Sequence, residues 1–463
     1  MVYLHSKTTI CAPATGQGGA INIVRISGPK AIEIADSIFK AKKQNFKLTD
    51  SNSHEIHFGD IIDGEKVLDE VLISIFKDSK SFTGEPSAEI SLHASPYIMQ
   101  RTLELLLENG ATMAEPGEFS MRAFLNGKLD LAQAEAIGDL IASTSKSAHY
   151  TAMRQLKGEF SNRLKTLRTQ LLNFASLIEL ELDFAEEDVE FADRSSFIKL
   201  ISDISKEVEQ LIYSFKIGNV LKNGIPVAIV GKPNVGKSTL LNTLLKEDKA
   251  IVSDIAGTTR DTIEDTINID GVLYRFIDTA GIRQSNDTIE SLGIERTYKK
   301  INEANIVLIL IDAGEIDSED DIIEQINNTK IDINNSEQEY IIIINKIDKS
   351  PIDLNFNNID KKLVAISAKS QDSIKKLENL LTEYVQQYNI EDNSIITNSR
   401  HLEALQHTAT SLNAILEGFE SGLSTDLIAI DVRTALYHLG SITNEVSNDE
   451  LLGNIFGNFC IGK

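Results

Sequence analysis

A chain of 463 residues with a formal net charge of −24 has room for roughly three domains with separate cores, and its acidity opposes non-specific attraction to nucleic acid or anionic lipid. Two cysteines, Cys11 and Cys460, exclude a disulfide framework and predict a reducing, cytoplasmic setting. The longest apolar runs, such as Ile306 to Ile311, are too short to span a bilayer, and neither the opening Met-Val-Tyr-Leu-His-Ser-Lys nor Cys460 with its Ile-Gly-Lys tail reads as a targeting signal or lipid anchor, so no membrane is expected among the partners.

Residues 1 to about 122 read as a mixed α+β domain. Ala20 to Ile26 and Glu70 to Phe76 predict strands, and Ile98 to Asn109 predicts a helix. The stretch 123–221 reads as helical: from Leu131 to about Leu221 apolar residues recur at helical spacing, as in Leu164, Leu167, Leu171, Leu172, Ala175 and Ile178. Arg154, Lys157, Lys165 and Arg168 in this stretch predict one shared basic helix face, which as an ordinary solvated face needs no RNA to explain it. Glu179 to Glu190 holds seven carboxylates in twelve positions, and solvated acid explains them better than a metal site does. An α/β stretch covers about 222 to 380, with Asp312 to Glu339 as acidic, Asn-rich surface structure. Helical periodicity resumes from about His401 to Leu439, within a last stretch, 381–463. Helices on both sides of a self-contained α/β domain predict that this domain is inserted into one discontinuous helical domain.

The α/β stretch carries the chemistry. Ile225-Pro-Val-Ala-Ile-Val230 runs into Gly231-Lys-Pro-Asn-Val-Gly-Lys-Ser238, the G-x-x-x-x-G-K-S loop that turns backbone amides towards phosphates. Lys237 there meets the β- and γ-phosphates, and Ser238 supplies a Mg2+ ligand. Alone, this could be a Gly-rich turn joining strand to helix. The rest removes that reading. Gly257-Thr-Thr-Arg-Asp261 offers Thr259 as a second Mg2+ hydroxyl, and Asp278-Thr-Ala-Gly281 follows an apolar run with a carboxylate for the metal shell. Asn345-Lys-Ile-Asp348 decides the base. Asp348 accepts from N1–H and the 2-amino group of guanine, whereas adenine would leave it unpaired, at about 1–3 kcal/mol. Ser367-Ala-Lys369 supplies the last loop. The predicted GTP site therefore comprises Asn234, Val235, Gly236, Lys237, Ser238 and Thr239, with Ser253, Asp254, Ile255, Ala256, Gly257, Thr258 and Thr259. Asp278, Thr279, Ala280, Gly281, Asn345, Lys346, Asp348, Ser367, Ala368 and Lys369 complete it. Ile282 stands where a water-positioning Gln commonly follows Asp-x-x-Gly, so the group that orients water must come from elsewhere.

Four further blocks resemble the MnmE (TrmE) family of tRNA-modification GTPases along essentially the whole chain. They are Gly18-Gly-Ala-Ile-Asn-Ile-Val-Arg-Ile-Ser-Gly28, Ser81-Phe-Thr-Gly-Glu85 with Glu89, Pro116 to Glu135, and Phe459-Cys-Ile-Gly-Lys463. Pro86 replaces a usual acid, and Ala94-Ser95 a Gly pair after His93. The resemblance implies an N-terminal α+β domain of folate-binding type that makes a homodimer, a discontinuous helical domain and an inserted Ras-like P-loop GTPase. It implies a partner, MnmG, which brings FAD and joins in a heterotetramer or larger complex, and addition of an aminomethyl or carboxymethylaminomethyl group at C5 of the wobble uridine of tRNA. Arg25, Glu89, Lys128 and Lys463 would contact a 5-formyl- or methylene-type tetrahydrofolate. Glu290 would orient the attacking water. Asn234, Ser253, Ile255 and Thr258 would hold K+. The Asn234 side chain and the backbone carbonyls of the other three would form that cage; Arg25, Glu89, Lys128 and Lys463 also have a plainer reading as surface charges or ion pairs, Glu290 as an ordinary loop acid and Asn234 as a P-loop brace. A ribosome-assembly GTPase would share the nucleotide motifs but normally carries a basic RNA-binding module, which is not evident here. A membrane-remodelling GTPase would need a basic or amphipathic face.

Overall fold

The computed structural model describes residues 8–16, 18–77, 80–183, 194–248, 265–277, 301–329, 331, 333, 338–350, 362–386, 395–443 and 462. The chain forms two compact units, one of residues 1–141, 155–204 and 407–463 and one of residues 142–154 and 205–406. Among the described residues no helix is long and apolar enough to cross a membrane.

The first unit holds a seven-stranded sheet of β1 (Ile10–Pro13), β2 (Ile21–Ser27), β3 (Phe39–Ala41), β4 (Glu55–Asp63), β5 (Lys66–Phe76), β6 (Ser87–His93) and β7 (Thr112–Met113). Their order is β3-β4-β5-β6-β2-β1-β7, antiparallel throughout except for the β1–β7 pair. Alternation on β5 sets its two faces. Val71, Ile73 and Ile75 are buried under α1 (Ala31–Ile38) and α2 (Pro96–Glu108), while Glu70 and Leu72 point away. The outward face is unusually apolar, with Ile56, Phe58 and Leu72 all exposed. The predicted strands and helix match β2, β5 and α2 closely.

After α3 (Glu118–Leu125), α4 (Leu131–Ala142) starts at a capping box. The Asp130 carboxylate accepts the Gln133 amide at 2.8 Å, and the Gln133 side-chain carbonyl accepts the Asp130 amide at 3.0 Å. The chain then forms α5 (Lys146–Leu156), α6 (Glu159–Asp183) and α7 (Arg194–Asn223). The break at Lys157–Gly158 corrects one expectation. Arg154 ends one helix while Lys165 and Arg168 belong to the next, so the basic residues do not share a helix face. The helix α6 also runs through the first carboxylates of the acidic stretch as far as Asp183; residues 184–193 lie outside the described residues. In the first unit α6 packs along α12 (Thr425–Thr443), and buried Phe174 meets the rings of Phe197 on α7 and Phe419 on α11 (Ser399–Glu420) at 4.9 and 6.3 Å.

The second unit is doubly wound. Its sheet runs β13-β12-β11-β8-β10-β9, from β8 (Ile225–Val230), β9 (Asp265–Ile269), β10 (Val272–Ile277), β11 (Ile306–Asp312), β12 (Glu339–Asn345) and β13 (Lys362–Ala365). All neighbours are parallel except the β9–β10 hairpin at the edge. Strands covered on both faces read as continuous apolar runs, and Ile306 to Ile311 is buried along its whole length. One face packs against α8 (Lys237–Asp248) and α10 (Gln371–Gln386), the other against α9 (Glu319–Asn328). The segment expected as acidic surface structure thus contains a helix, started by a Ser318–Asp321 capping box and held down by buried Ile322 and Ile326.

Candidate functional site

The loop after β8 sits at the carboxyl edge of the parallel strands, where doubly wound sheets bind ligands. Gly231 and Gly236 have φ of 147° and 108°, and a Cβ at either would collide with Leu310 O or Asn345 Nδ2. Only glycine fits both the turn and the approach. Asn234 takes φ 65°, which Asn tolerates better than most residues. Val235 is buried and pins the loop. Lys237 Nζ arches back to donate to Gly231 O at 2.6 Å and Lys232 O at 2.8 Å, and burial pushes this ammonium below its ordinary value. Ser238 and Thr239 are exposed in the first turn of α8, where helix amides lack intrahelical partners and attract anions. The donor set fits a phosphate chain with Mg2+.

Asn345 joins this loop to the Ser367-Ala-Lys369 loop that follows β13. Its Nδ2 donates to Val235 O at 2.7 Å and its Oδ1 accepts the Ala368 amide at 2.9 Å, with the residue only 1% exposed. Lys346 Nζ donates to Asn234 O at 2.7 Å and pairs with Asp312 Oδ2 at 2.5 Å. Burial pushes the Asp312 carboxyl up, but the bonds from Lys346 and the Gly314 amide outweigh it and hold the group below its usual range. A hydrogen bond from the buried Ser367 side chain lowers the Asp348 carboxyl, so exposed Asp348 presents an ionised acceptor edge. Lys369 lies exposed beyond it. Asn234 to Thr239 and Asn345 to Asp348 with Ser367 to Lys369 therefore meet at one edge of one sheet. Ser253, Asp254, Ile255, Ala256, Gly257, Thr258, Thr259, Asp278, Thr279, Ala280, Gly281 and Glu290 lie outside the described residues.

The first unit holds a second cluster. Arg25 on β2 stands directly opposite Glu89 on β6 and donates Nε to its carboxylate at 2.9 Å. The guanidinium lies 5.5 Å from the Phe82 ring and 5.6 Å from that of Phe119, and Nη1 reaches the Gly462 carbonyl at 3.3 Å. That contact brings the end of the chain back to its first strands; Lys463 itself lies outside the described residues. The Lys128 stem borders Gly84, where a Cβ would lie 3.2 Å from Lys128 Cγ, in the loop that also carries Phe82. Beneath that loop, buried Arg122 pairs with Glu85 at 3.1 Å and Glu118 at 2.9 Å.

Sequence reasoning missed Asp312, Phe82, Phe119 and Arg122. Asp312 was open to discovery, as the carboxylate closing an apolar strand. Phe82 and Arg122 stood inside quoted blocks, but nothing local marked what they touch.

The family model described as "GTP-binding protein TrmE N-terminus" matches residues 9–128, and "MnmE helical domain" matches residues 131–460. A protein of Flavobacterium johnsoniae named tRNA modification GTPase MnmE is 52% identical, covering 99% of this chain and 100% of that protein. One of Bacteroides thetaiotaomicron with the same name is 49% identical, at 99% and 100%. Among solved structures, Era in complex with MgGDPNP and a piece of 16S ribosomal RNA is 32% identical, covers 40% of this chain and 66% of that one, and has a TM-score of 0.25. With both family models matched and half its residues shared over its full length with such relatives, the chain belongs to the MnmE family of tRNA modification GTPases.

Proposed function

We propose that this protein hydrolyses GTP and, with the flavin-dependent partner MnmG, modifies C5 of the wobble uridine of certain tRNAs with an aminomethyl or carboxymethylaminomethyl group. The observation that carries the nucleotide half is the Asn345 side chain, which ties the phosphate loop at Val235 to the base loop at Ala368. The tRNA half rests on the names of full-length relatives, which do not favour ribosome assembly. Mass spectrometry of tRNA nucleosides from cells lacking the gene tests it; unchanged wobble uridines would overturn the proposal.

In this reading Lys237 exchanges its two loop carbonyls for phosphate oxygens, and Asp348 accepts from guanine. Ser238 and Thr259 would hold Mg2+, with Asp278 behind them; the ion supplies positive charge to the phosphates. Glu290 orients the attacking water, so Glu290→Ala should lose turnover and keep nucleotide affinity; unchanged turnover would remove it. Asn234, Ser253, Ile255 and Thr258 would hold K+, which supplies the charge of an arginine finger, a group worth about 10³–10⁵ in rate. GTP turnover and association of the GTPase domains in KCl against NaCl at equal ionic strength test this, and equal rates would refute it.

Arg25, Glu89, Lys128 and Lys463 bind a 5-formyl- or methylene-type tetrahydrofolate, the cations taking its anionic tail and the carboxylate its pterin donors. A binding titration checks this; equal affinity in Arg25→Ala would sink it. We assign 1–122 to the folate-binding dimerisation domain, 123–221 and 381–463 to the helical domain, and 222–380 to the GTPase domain. The exposed apolar face of Ile56, Phe58 and Leu72 supports a homodimer built on the first domain, and a monomer in sedimentation would contradict that. FAD enters only through MnmG, and the setting is cytoplasmic.

A further inference from the structure

The β9–β10 hairpin turns at Asp270 and Gly271, both at positive φ, 51° and 83°, as tight two-residue hairpins demand. Its two ends continue in the chain into the segments that carry Thr259 and Asp278. Its tip meets the start of α5. The Ser147 amide donates to Gly271 O at 3.0 Å, while Ser145 Oγ accepts the Ala148 amide at 3.2 Å. Two of the amides that any helix start leaves without intrahelical partners are thus satisfied, one by a local cap and one by the hairpin. The approach is close, since a Cβ on residue 271 would lie 2.7 Å from Lys146 Cβ.

The opposite flank is fixed to α10. Tyr274 donates its hydroxyl to Leu381 O at 2.8 Å, and Thr382 donates to Asp270 Oδ2 at 3.3 Å. The hairpin is therefore held between α10 and the start of α5. Residues 142–154, with most of α5, group with the nucleotide-binding unit, whereas the chain on either side of them belongs to the other unit.

Resting on the nucleotide-site reading above, we propose that the Gly271–Lys146–Ser147 contact is a positioning contact for GTP hydrolysis. It fixes the hairpin that links the Thr259 and Asp278 motifs in sequence, and it couples nucleotide state to α5. Gly271→Asn tests it, because Asn tolerates positive φ and keeps the turn while its Cβ pushes on Lys146. In the full-length protein kcat should fall several-fold with KM for GTP unchanged, and adding Lys146→Gly, which removes the opposing Cβ, should restore it. Hydrogen exchange in the wild type needs no variant to fold: the amides of Ser147 to His149 should differ in protection between the GDP state and a state with a non-hydrolysable GTP analogue. Unchanged kcat in a folded Gly271→Asn protein, no rescue by Lys146→Gly, or identical exchange in both nucleotide states would overturn the positioning role. Failure of the wild type to bind GTP would instead overturn the nucleotide site.

Discussion

Asp348 is the side chain proposed to select the base. The Ser367 hydrogen bond keeps its carboxyl below the usual range, so it is a pure acceptor at neutral pH and suits the paired donors of guanine. Asp348→Asn offers an amide donor instead, and its affinity should move from GTP towards xanthosine triphosphate, whose 2-oxo group needs one. Competition titrations read this, and equal affinity of the wild type for ATP and GTP would refute the assignment. Cys11 makes a different residue-scale statement. Burial pushes its thiol up from 9.0 to about 12. The folded protein keeps that proton through a range where the unfolded chain loses it, so its contribution is complete below pH 9 and is lost as pH rises towards 12. The slope is at most about 1.4 kcal/mol per pH unit. Urea midpoints between pH 8 and 10.5 should fall more steeply in the wild type than in Cys11→Ala; parallel slopes would show that Cys11 does not titrate this way.

Arg122 joins elements. From α3 it reaches Glu118 on its own helix, Glu85 on the loop before β6, and the Thr8 carbonyl at 2.8 Å, with its side chain only 3% exposed. Arg122→Met should destabilise the protein by about 3–5 kcal/mol, because it leaves two acids poorly solvated without their cation. Denaturant unfolding of the first unit measures the loss, and a loss under 1 kcal/mol would refute a structural role. Apart from the Glu118 pair four residues away on the same helix, no sequence pattern revealed this link, since Glu85 and Thr8 are distant in the chain. What could be read were elements whose environment is uniform along their length. The apolar runs of β8 and β12 read as strands, and the motif loops follow them. Short edge strands such as β3 and β7 carry too few residues for a period. The break at Gly158 escaped notice because apolar spacing continues across it into Leu164 and Leu167. The helix α9 was hidden by acidic composition, although Ser318 and Asp321 already spelled its cap. At the nucleotide site the motif residues were legible, while Asp312 and the tie through Asn345 needed the strands side by side.

At the scale of the whole molecule, the contact of greatest sequence separation at a candidate site is the Arg25 guanidinium on the Gly462 carbonyl, 437 residues apart. It closes the chain on itself inside the first unit, beside Glu89 and Phe82, and lies wholly outside the nucleotide-binding unit. If the last residues complete the one-carbon site, removing Cys460 to Lys463 takes away a cation and the backbone carbonyl that Arg25 uses. The residues proposed to bind GTP, among them Asn234 to Thr239 and Asn345 to Asp348 with Ser367 to Lys369, lie outside that unit. The truncated protein should therefore keep the GTP affinity and basal turnover of the full chain, lose affinity for a tetrahydrofolate ligand, and fail to restore modified wobble uridine in cells lacking the gene. Normal tRNA modification by the truncated protein would remove the tail from the site. Parallel loss of GTP turnover would show instead that the tail supports the fold as a whole, and a melting scan of the variant separates that outcome from a local one.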